Sequence, residues 1–276
     1  MESQGAEPRG RRAKLEGAAR LLVRDPRELF EVVLDQAQRA VDPFRRRPSW
    51  EPRPQDEIVT GLEGALGRDV ASFLREDGRA EIEAEVRERI ERLGPDVPFP
   101  IAHNAAPSLA QLCYALCRAL RPAAVLETGV AYGVTSAFIA KALAVNGEGE
   151  LHSVDRAPVR PDVESYIGAL VPDELRSRWT LHRGTSRRLV PRLLPELDGL
   201  SLFIHDSQHT YPNVSWELRT VAPHLARPAA VLVDDVAANR AFEDWVERAR
   251  PAYSAVVAEA PVGVAIVNGL GDSRSA

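Results

Sequence analysis

The chain has 276 residues, of which 45% are apolar and 27% charged, and its net charge is −5. That composition supports a real core in one large domain with room for an added piece, and it gives no case for nucleic acid or an acidic membrane as partner. No stretch has the length of a transmembrane span, and the polar N-terminus lacks a signal-like apolar run, so the expected location is the cytoplasm.

In chain order, residues 1–25 are rich in Arg, Glu and Gly without periodicity and are expected to be disordered. Pro26 is a good first-turn residue, and Leu29, Val33, Ala37 and Val41 then trace one face of a helix. Residues 43–57 carry four prolines among charges and read as a linker or wrapped loop. Ile58 to Leu74 reads as one or two short helices broken near Gly67. Ile82, Val86 and Ile90 mark an amphipathic helix ending at Gly94-Pro95. This helical piece, 26–100, holds no catalytic constellation; it is either a structural or oligomer contact, giving a homo-oligomer through these helices, or a cap over a ligand.

Pro98 to Ala106 is a loop in which His103 and Asn104 are weak ligand candidates; Asn104 or Ser108 could equally cap the helix that follows, Leu109–Leu120. Cys113 and Cys117 lie four apart in that helix, too few for a metal site and poorly placed for a disulfide, so they read as buried thiols.

From residue 123 strands and helices alternate. Val125-Leu126-Glu127 feeds a turn holding Gly129 and Gly133, and an apolar helix starts at Val134. Further strands run over Leu151–Asp155, Thr180–Gly184, Leu200–Asp206 and Ala230–Asp235, with helices to about Leu194, over Val214–Leu225 and over Phe242–Ala249. Tyr253–Ala258 and Val262–Val267 close the chain as a hairpin. The fold expected for 101–270 is α/β, a doubly wound (Rossmann-like), mostly parallel seven-stranded sheet, with the hairpin adding an antiparallel edge strand and residues 271–276 left as a tail.

The turn is G-x-x-x-G, not the G-x-G-x-x-G of a dinucleotide site, and Glu127 beside it would repel a pyrophosphate. It suits a ligand that bears an ammonium and lacks phosphates. Asp155 stands at the tip of the next strand, where a carboxylate can accept two hydrogen bonds from a ribose diol. Gly184-Thr185-Ser186 follows the third strand, where Ser186 can reach a base edge or simply cap a helix. Asp206, Asp234 and Asp235 end adjacent strands, and three carboxylates in one crevice repel one another unless a cation or protons neutralise them. Oxygen donors of this kind favour Mg²⁺ or Ca²⁺ over zinc, and Mg²⁺ commonly takes a few carboxylates plus water and substrate oxygens. His209 and Tyr211 add a proton acceptor and a hydroxyl to the same loop.

Together, Glu127-Thr-Gly-Val-Ala-Tyr-Gly133, Asp155, Phe203-Ile-His-Asp-Ser-Gln-His-Thr-Tyr211 and Val233-Asp-Asp235 resemble class I S-adenosylmethionine-dependent methyltransferases. The likeness is to the bacterial small-molecule O-methyltransferase branch with Asp-x-x-His-(Ser/Thr)-Tyr after strand four, and it spans residues 100–268. The resemblance implies that Glu127, Gly129, Tyr132 and Gly133 line the cofactor's methionine end, that Asp155 holds its ribose and that Ser186 lies near the adenine. It further implies Mg²⁺ on Asp206, Asp234 and Asp235, with His209 or Asp206 as the proton acceptor, and a small hydroxylated acceptor such as a natural-product intermediate. Arg227-Pro-Ala-Ala230 departs from the Pro-Gly-Gly usual before strand five. A metal-independent O- or N-methyltransferase, an NAD-dependent oxidoreductase and a non-catalytic nucleotide-binding module remain open alternatives.

Overall fold

The computed structural model describes residues 47–95, 97–101, 105–156 and 161–268, together with isolated helical positions between Leu22 and Ala40. The expectations for His103, Asn104, the 271–276 tail and most of residues 1–46 lie outside the described residues. Within the expected N-terminal helix, the described Val33 and Ala37 are helical and exposed.

Helix α1 (Gln55–Leu66) stops where Gly67 takes a left-handed conformation at φ 64°, which a residue without Cβ adopts freely. Asp69 caps α2 (Val70–Leu74) by accepting the Ser72 N–H at 2.8 Å. Helix α3 (Asp77–Leu93) ends at Gly94 and buries Ile82 and Val86. Helix α4 (Pro107–Leu120) opens on proline, with Ala106 as the capping position and no side-chain cap, so Ser108 does not serve there. Residues 47–54 are a wrapped loop tied to the body. The Arg53 N–H reaches the Val256 carbonyl at 2.8 Å and the Ala258 N–H returns to the Arg53 carbonyl at 2.8 Å.

The α/β body follows as β1 (Ala124–Thr128), α5 (Val134–Asn146), β2 (Glu150–Asp155), β3 (Trp179–Arg183), α6 (Ser186–Leu193), β4 (Leu200–His205), α7 (Tyr211–Val221), β5 (Ala229–Val233), α8 (Ala241–Ala249), β6 (Tyr253–Val256) and β7 (Gly263–Val267). The seven-stranded sheet has the order β3-β2-β1-β4-β5-β7-β6. Strands β1 to β5 are parallel, and β7 is antiparallel to both β5 and β6. Every residue of β1 and β5 is buried, the mark of strands covered on both faces.

The hairpin closes the sheet as expected, with β6 at the edge pairing antiparallel to β7. Strand β7 is internal, between β5 and β6. Gly263 to Ile266 are buried, whereas Tyr253 and Ser254 are half-buried, so the more apolar strand takes the place with a neighbour on each side. Two 3₁₀ helices, Pro161–Tyr166 and Asp173–Arg178, cross between β2 and β3. They were not foreseen, because such short i→i+3 turns have no amphipathic period to read. The Arg227–Pro228 bond before β5 is cis.

One face of the sheet packs on α4 and α5, and α1 to α3 join the same cluster through Ile58, Leu62, Ile82 and Val86. Glu76, at the start of α3, takes both Arg118 nitrogens at 2.8 and 2.9 Å and the Tyr114 hydroxyl at 2.8 Å. The helical piece is therefore continuous with the body's core. The other face packs on α6, α7 and α8 through Val190, Val214, Leu218, Phe242 and Trp245. Cys113 and Cys117 are buried free thiols, and burial raises the pKa of both. Among the described residues no helix is long and apolar enough to cross a membrane.

Candidate active site

The turn after β1 needs its glycines. Gly129 sits at φ 86°, and a Cβ there would lie 2.0 Å from the Asp206 carbonyl oxygen. The β1 turn and the loop after β4 therefore touch through bare backbone. Gly133, at φ 92°, precedes α5, and a Cβ there would approach the Gly168 Cα to 2.9 Å.

Behind this turn Glu127 is fully buried. Ser136 and Ser153 donate to its carboxylate at 2.6 and 2.5 Å, and Thr135 donates as well. Burial raises its pKa, and these three hydroxyls oppose the shift. Asp155 ends β2 and accepts the Val130 and Ala131 N–H groups on one oxygen at 2.9 and 3.1 Å. Its other oxygen lies 3.8 Å from Arg183; burial raises this acid too, against the pull of Arg183. Tyr132 is also fully buried. Its ring stacks on Phe99 with centroids 4.0 Å apart, and its hydroxyl donates to the Phe99 carbonyl at 2.6 Å. Ser186 is the first residue of α6, behind the capping Thr185, and its hydroxyl bonds to Glu217.

The acids of the second cluster meet. The Asp206 N–H bonds to the Thr128 carbonyl at 2.8 Å and the Asp234 N–H to the His205 carbonyl at 2.9 Å, so strand pairing itself sets the two carboxyls side by side. Their ligand atoms lie within 4.8 Å of each other, close enough for one proton held in common to relieve the repulsion between them. Burial raises the pKa of Asp206 well above the usual carboxylate range, and Asp234 and Glu127 add to the shift. Burial, then Asp235, raises Asp234.

Asp206, His209 and Asp234 each bring one ligand atom to within 4.8 Å of the others. His209 Nε2 lies 3.8 Å from both Asp206 and Asp235. Asp235, at φ 51° and with 55% of its side chain exposed, lies outside that group of three. The Asn239 amide donates to the His209 carbonyl at 3.0 Å, and Tyr211 turns away to donate to Asp244 at 2.7 Å. Gln38 of the N-terminal helix accepts from Thr210 at 3.2 Å, beside His209.

Residues 126–236 match the family model described as a methyltransferase domain. The matched stretch runs from β1 to the turn after β5 and holds both acid clusters, and it marks this part of the chain as a methyltransferase domain. The match sets aside the oxidoreductase reading. Among solved structures, the O-methyltransferase from Bacillus cereus in complex with S-adenosylhomocysteine is 12% identical, with 77% of this chain and 97% of that one aligned at a TM-score of 0.50. The O-methyltransferase TomG from Streptomyces achromogenes, in complex with S-adenosylmethionine, is 16% identical over 77% of this chain and 96% of its own at 0.44. A methyltransferase from Geobacter sulfurreducens is 17% identical over 68% and 89% at 0.47. At such identities the likeness is one of fold. A comparison with curated proteins finds no match.

Two residues of the methyltransferase's site escaped the sequence reading. Glu217 and His205 are both fully buried and meet at 2.7 Å, Glu217 Oε2 to His205 Nδ1. Burial alone would raise the Glu217 pKa, but His205 and the surrounding hydroxyls outweigh it and lower the pKa to about 2. The available signal was Glu217 itself, an acid on the inward stripe of α7 between Val214, Leu218 and Val221.

Proposed function

We propose that this methyltransferase moves a methyl group to a hydroxyl oxygen of a small molecule, assisted by a divalent cation at Asp206, His209 and Asp234. One observation carries the reading: that trio sits against Gly129, where the cofactor turn and the acid loop are in backbone contact. The donor set fits a cation. Two carboxylates that otherwise repel each other gain by neutralisation, and the imidazole makes the set mixed oxygen and nitrogen, which suits Mn²⁺ or Fe²⁺ as well as Mg²⁺. Asp235 reaches His209 from outside and would act on the cation only at longer range.

The turn fits the cofactor's methionine end, with Gly129 and Gly133 allowing close approach, while Glu127 and Tyr132 support the turn from beneath. Asp155 offers its less occupied oxygen to the ribose. Ser186 would act on the adenine side only indirectly, since its hydroxyl serves Glu217.

When bound, S-adenosylmethionine supplies an electrophilic methyl carbon, and a cation supplies a Lewis acid that favours an ionised hydroxyl. The protein contributes position. The acceptor oxygen must stand in line with the methyl carbon, which the shared wall of the two loops makes feasible. Where His209 is not committed to a cation, its Nε2 can take the acceptor's proton, and Asp206 and Asp235, each 3.8 Å away, favour the imidazolium that results. Gln38, a described helical position of the N-terminal segment, accepts from Thr210 beside His209 and so lies at the edge of the site.

The raised pKa values of Asp206 and Asp234 also favour a second reading, a metal-independent enzyme in which His209 is the base and the acid pair an anchor. Titration calorimetry of S-adenosylhomocysteine, with Mg²⁺ or Mn²⁺ and then with chelator, separates the two. Cofactor-product binding plus a metal signal abolished by Asp234→Ala supports the first reading. Binding with no metal signal supports the second, and no binding of S-adenosylhomocysteine removes both.

A further inference from the structure

Beneath the candidate site, one carboxylate gathers side chains from β1, β4 and the loop after it, α6 and α7. Glu217 projects from α7 with no solvent exposure. Its Oε2 accepts the Thr128 hydroxyl at 2.6 Å and faces His205 Nδ1 at 2.7 Å. Its Oε1 accepts the Ser207 hydroxyl at 2.9 Å and the Asn213 amide at 3.2 Å. The Ser186 hydroxyl donates to it too.

These partners are not scattered. Thr128 is the last residue of β1 and directly precedes Gly129 of the cofactor turn. His205 and Ser207 flank Asp206 on both sides. Ser186 opens α6, after β3. His205 adds two further contacts: its carbonyl accepts the Asp234 N–H at 2.9 Å, and its ring meets the His209 ring edge-to-face with centroids 5.6 Å apart.

We propose that Glu217 and His205 form a buried positioning dyad that holds the cofactor turn, Asp206, Asp234 and His209 at one mutual spacing. The inference rests on the methyltransferase site described above and deepens it. A carboxylate taken wholly out of water is a poor way to gain stability, because desolvation consumes most of what its partners give back. A packed leucine at position 217 would continue the stripe of Val214, Leu218 and Val221. What such a residue lacks is direction. A carboxylate with its lone pairs fully used fixes several donors at once, which apolar contact does not do, and supports of this kind orient the groups that meet ligand. The dyad also keeps one atom in reserve: His205 Nε2 is buried and has no partner among the described residues, a cost that native structures accept mainly where function requires it.

The test uses the full-length protein with ¹⁵N-labelled histidine, His209 being assigned through His209→Asn. Two readouts are taken, the His209 ring resonances and the affinity for S-adenosylhomocysteine by calorimetry. Glu217→Gln keeps the shape and removes the charge; it is expected to move the His209 resonances and to weaken S-adenosylhomocysteine by about tenfold. Thr128→Val removes one arm only and should weaken binding by about threefold while moving His209 less. If Glu217→Gln does not fold, Thr128→Val carries both readouts. Folded variants with a lower Tm, but with His209 resonances unmoved and affinity within about twofold of wild type, would leave the pair a purely structural element and overturn the proposal. Wild-type protein that fails to bind S-adenosylhomocysteine would sink the cofactor reading instead, and the His209 resonances would still decide the dyad's role.

Discussion

At the end of β1, Glu127 is ringed by the hydroxyls of Thr135, Ser136 and Ser153, and nearby Tyr132 is spent on the Phe99 carbonyl. At the ends of β4 and β5, Asp206 and Asp234 crowd together with Asp235 and His209 close by, and no lysine or arginine is among the four. Both regions bury acids at the same sheet edge, yet only the first settles them with protein donors. Burial of a satisfied group makes a rigid wall, whereas burial of crowded like charges makes a place that gains from a ligand. Damage to the first region should therefore appear as lost stability. Damage to the second should appear as lost binding, and in one case as gained stability.

The largest effect is expected from Gly129→Ala, where the two regions meet. The new Cβ would fall 2.0 Å from backbone oxygen at a φ of 86°, and a backbone atom cannot swing aside. A loss of about 3 kcal/mol or more is expected, with S-adenosylhomocysteine binding abolished, as read by denaturant titration and calorimetry. Next comes Ser153→Ala. It takes a donor from Glu127 and an acceptor from the Trp179 indole N–H, which reaches Ser153 at 2.9 Å. About 1–3 kcal/mol should be lost.

Asp206→Asn tests the opposite sign. The folded state raises the pKa of Asp206 above its ordinary value of 3.8. The folded protein therefore holds this proton more tightly than the unfolded chain, and the associated stability is present below that ordinary value and lost as pH rises through the raised one. The Asn variant lacks that loss, so its Tm should exceed wild type at neutral pH by a few degrees, on the order of 1 kcal/mol, and vary less with pH. Added Mg²⁺ or Mn²⁺ should raise the wild-type Tm and leave the variant's unchanged; equal pH profiles for the two proteins would contradict the crowded-acid account.

A smaller effect, about 1 kcal/mol, is expected for Tyr132→Phe, which loses the bond to Phe99 and keeps the stack. The smallest belongs to Asp235→Asn. Its side chain is more than half exposed and lies outside the converging trio, so Mn²⁺ affinity should change by less than about threefold, a range set by screening at an exposed site. A tenfold loss there would restore Asp235 to the inner group.

The strand-and-helix alternation was legible because each element carries its period locally. Apolar runs covered on both faces, glycines at positive φ and the amphipathic stripes of α3, α7 and α8 need no knowledge of their partners. The acids at strand ends were legible for the same reason, since parallel strands bring their carboxyl ends to one edge whatever the register. Register was not legible. It makes His209, rather than Asp235, the third member of the inner trio, because Asp235 sits at φ 51° after β5 and turns outward while the loop after β4 folds His209 back.

Composition and local pattern thus determined the fold class, the place of the glycine turn after β1 and the identity of most groups around it. The tertiary structure decided which of those groups are already satisfied. Glu127 reads as a ligand contact from its position, and only the folded chain shows the hydroxyls from α5 and β2 that surround it. Glu217 and His205 lie twelve residues apart in sequence, and nothing in either segment alone announces their meeting. A hydrogen bond depends on two groups reaching one point, and that point exists only after the chain has folded.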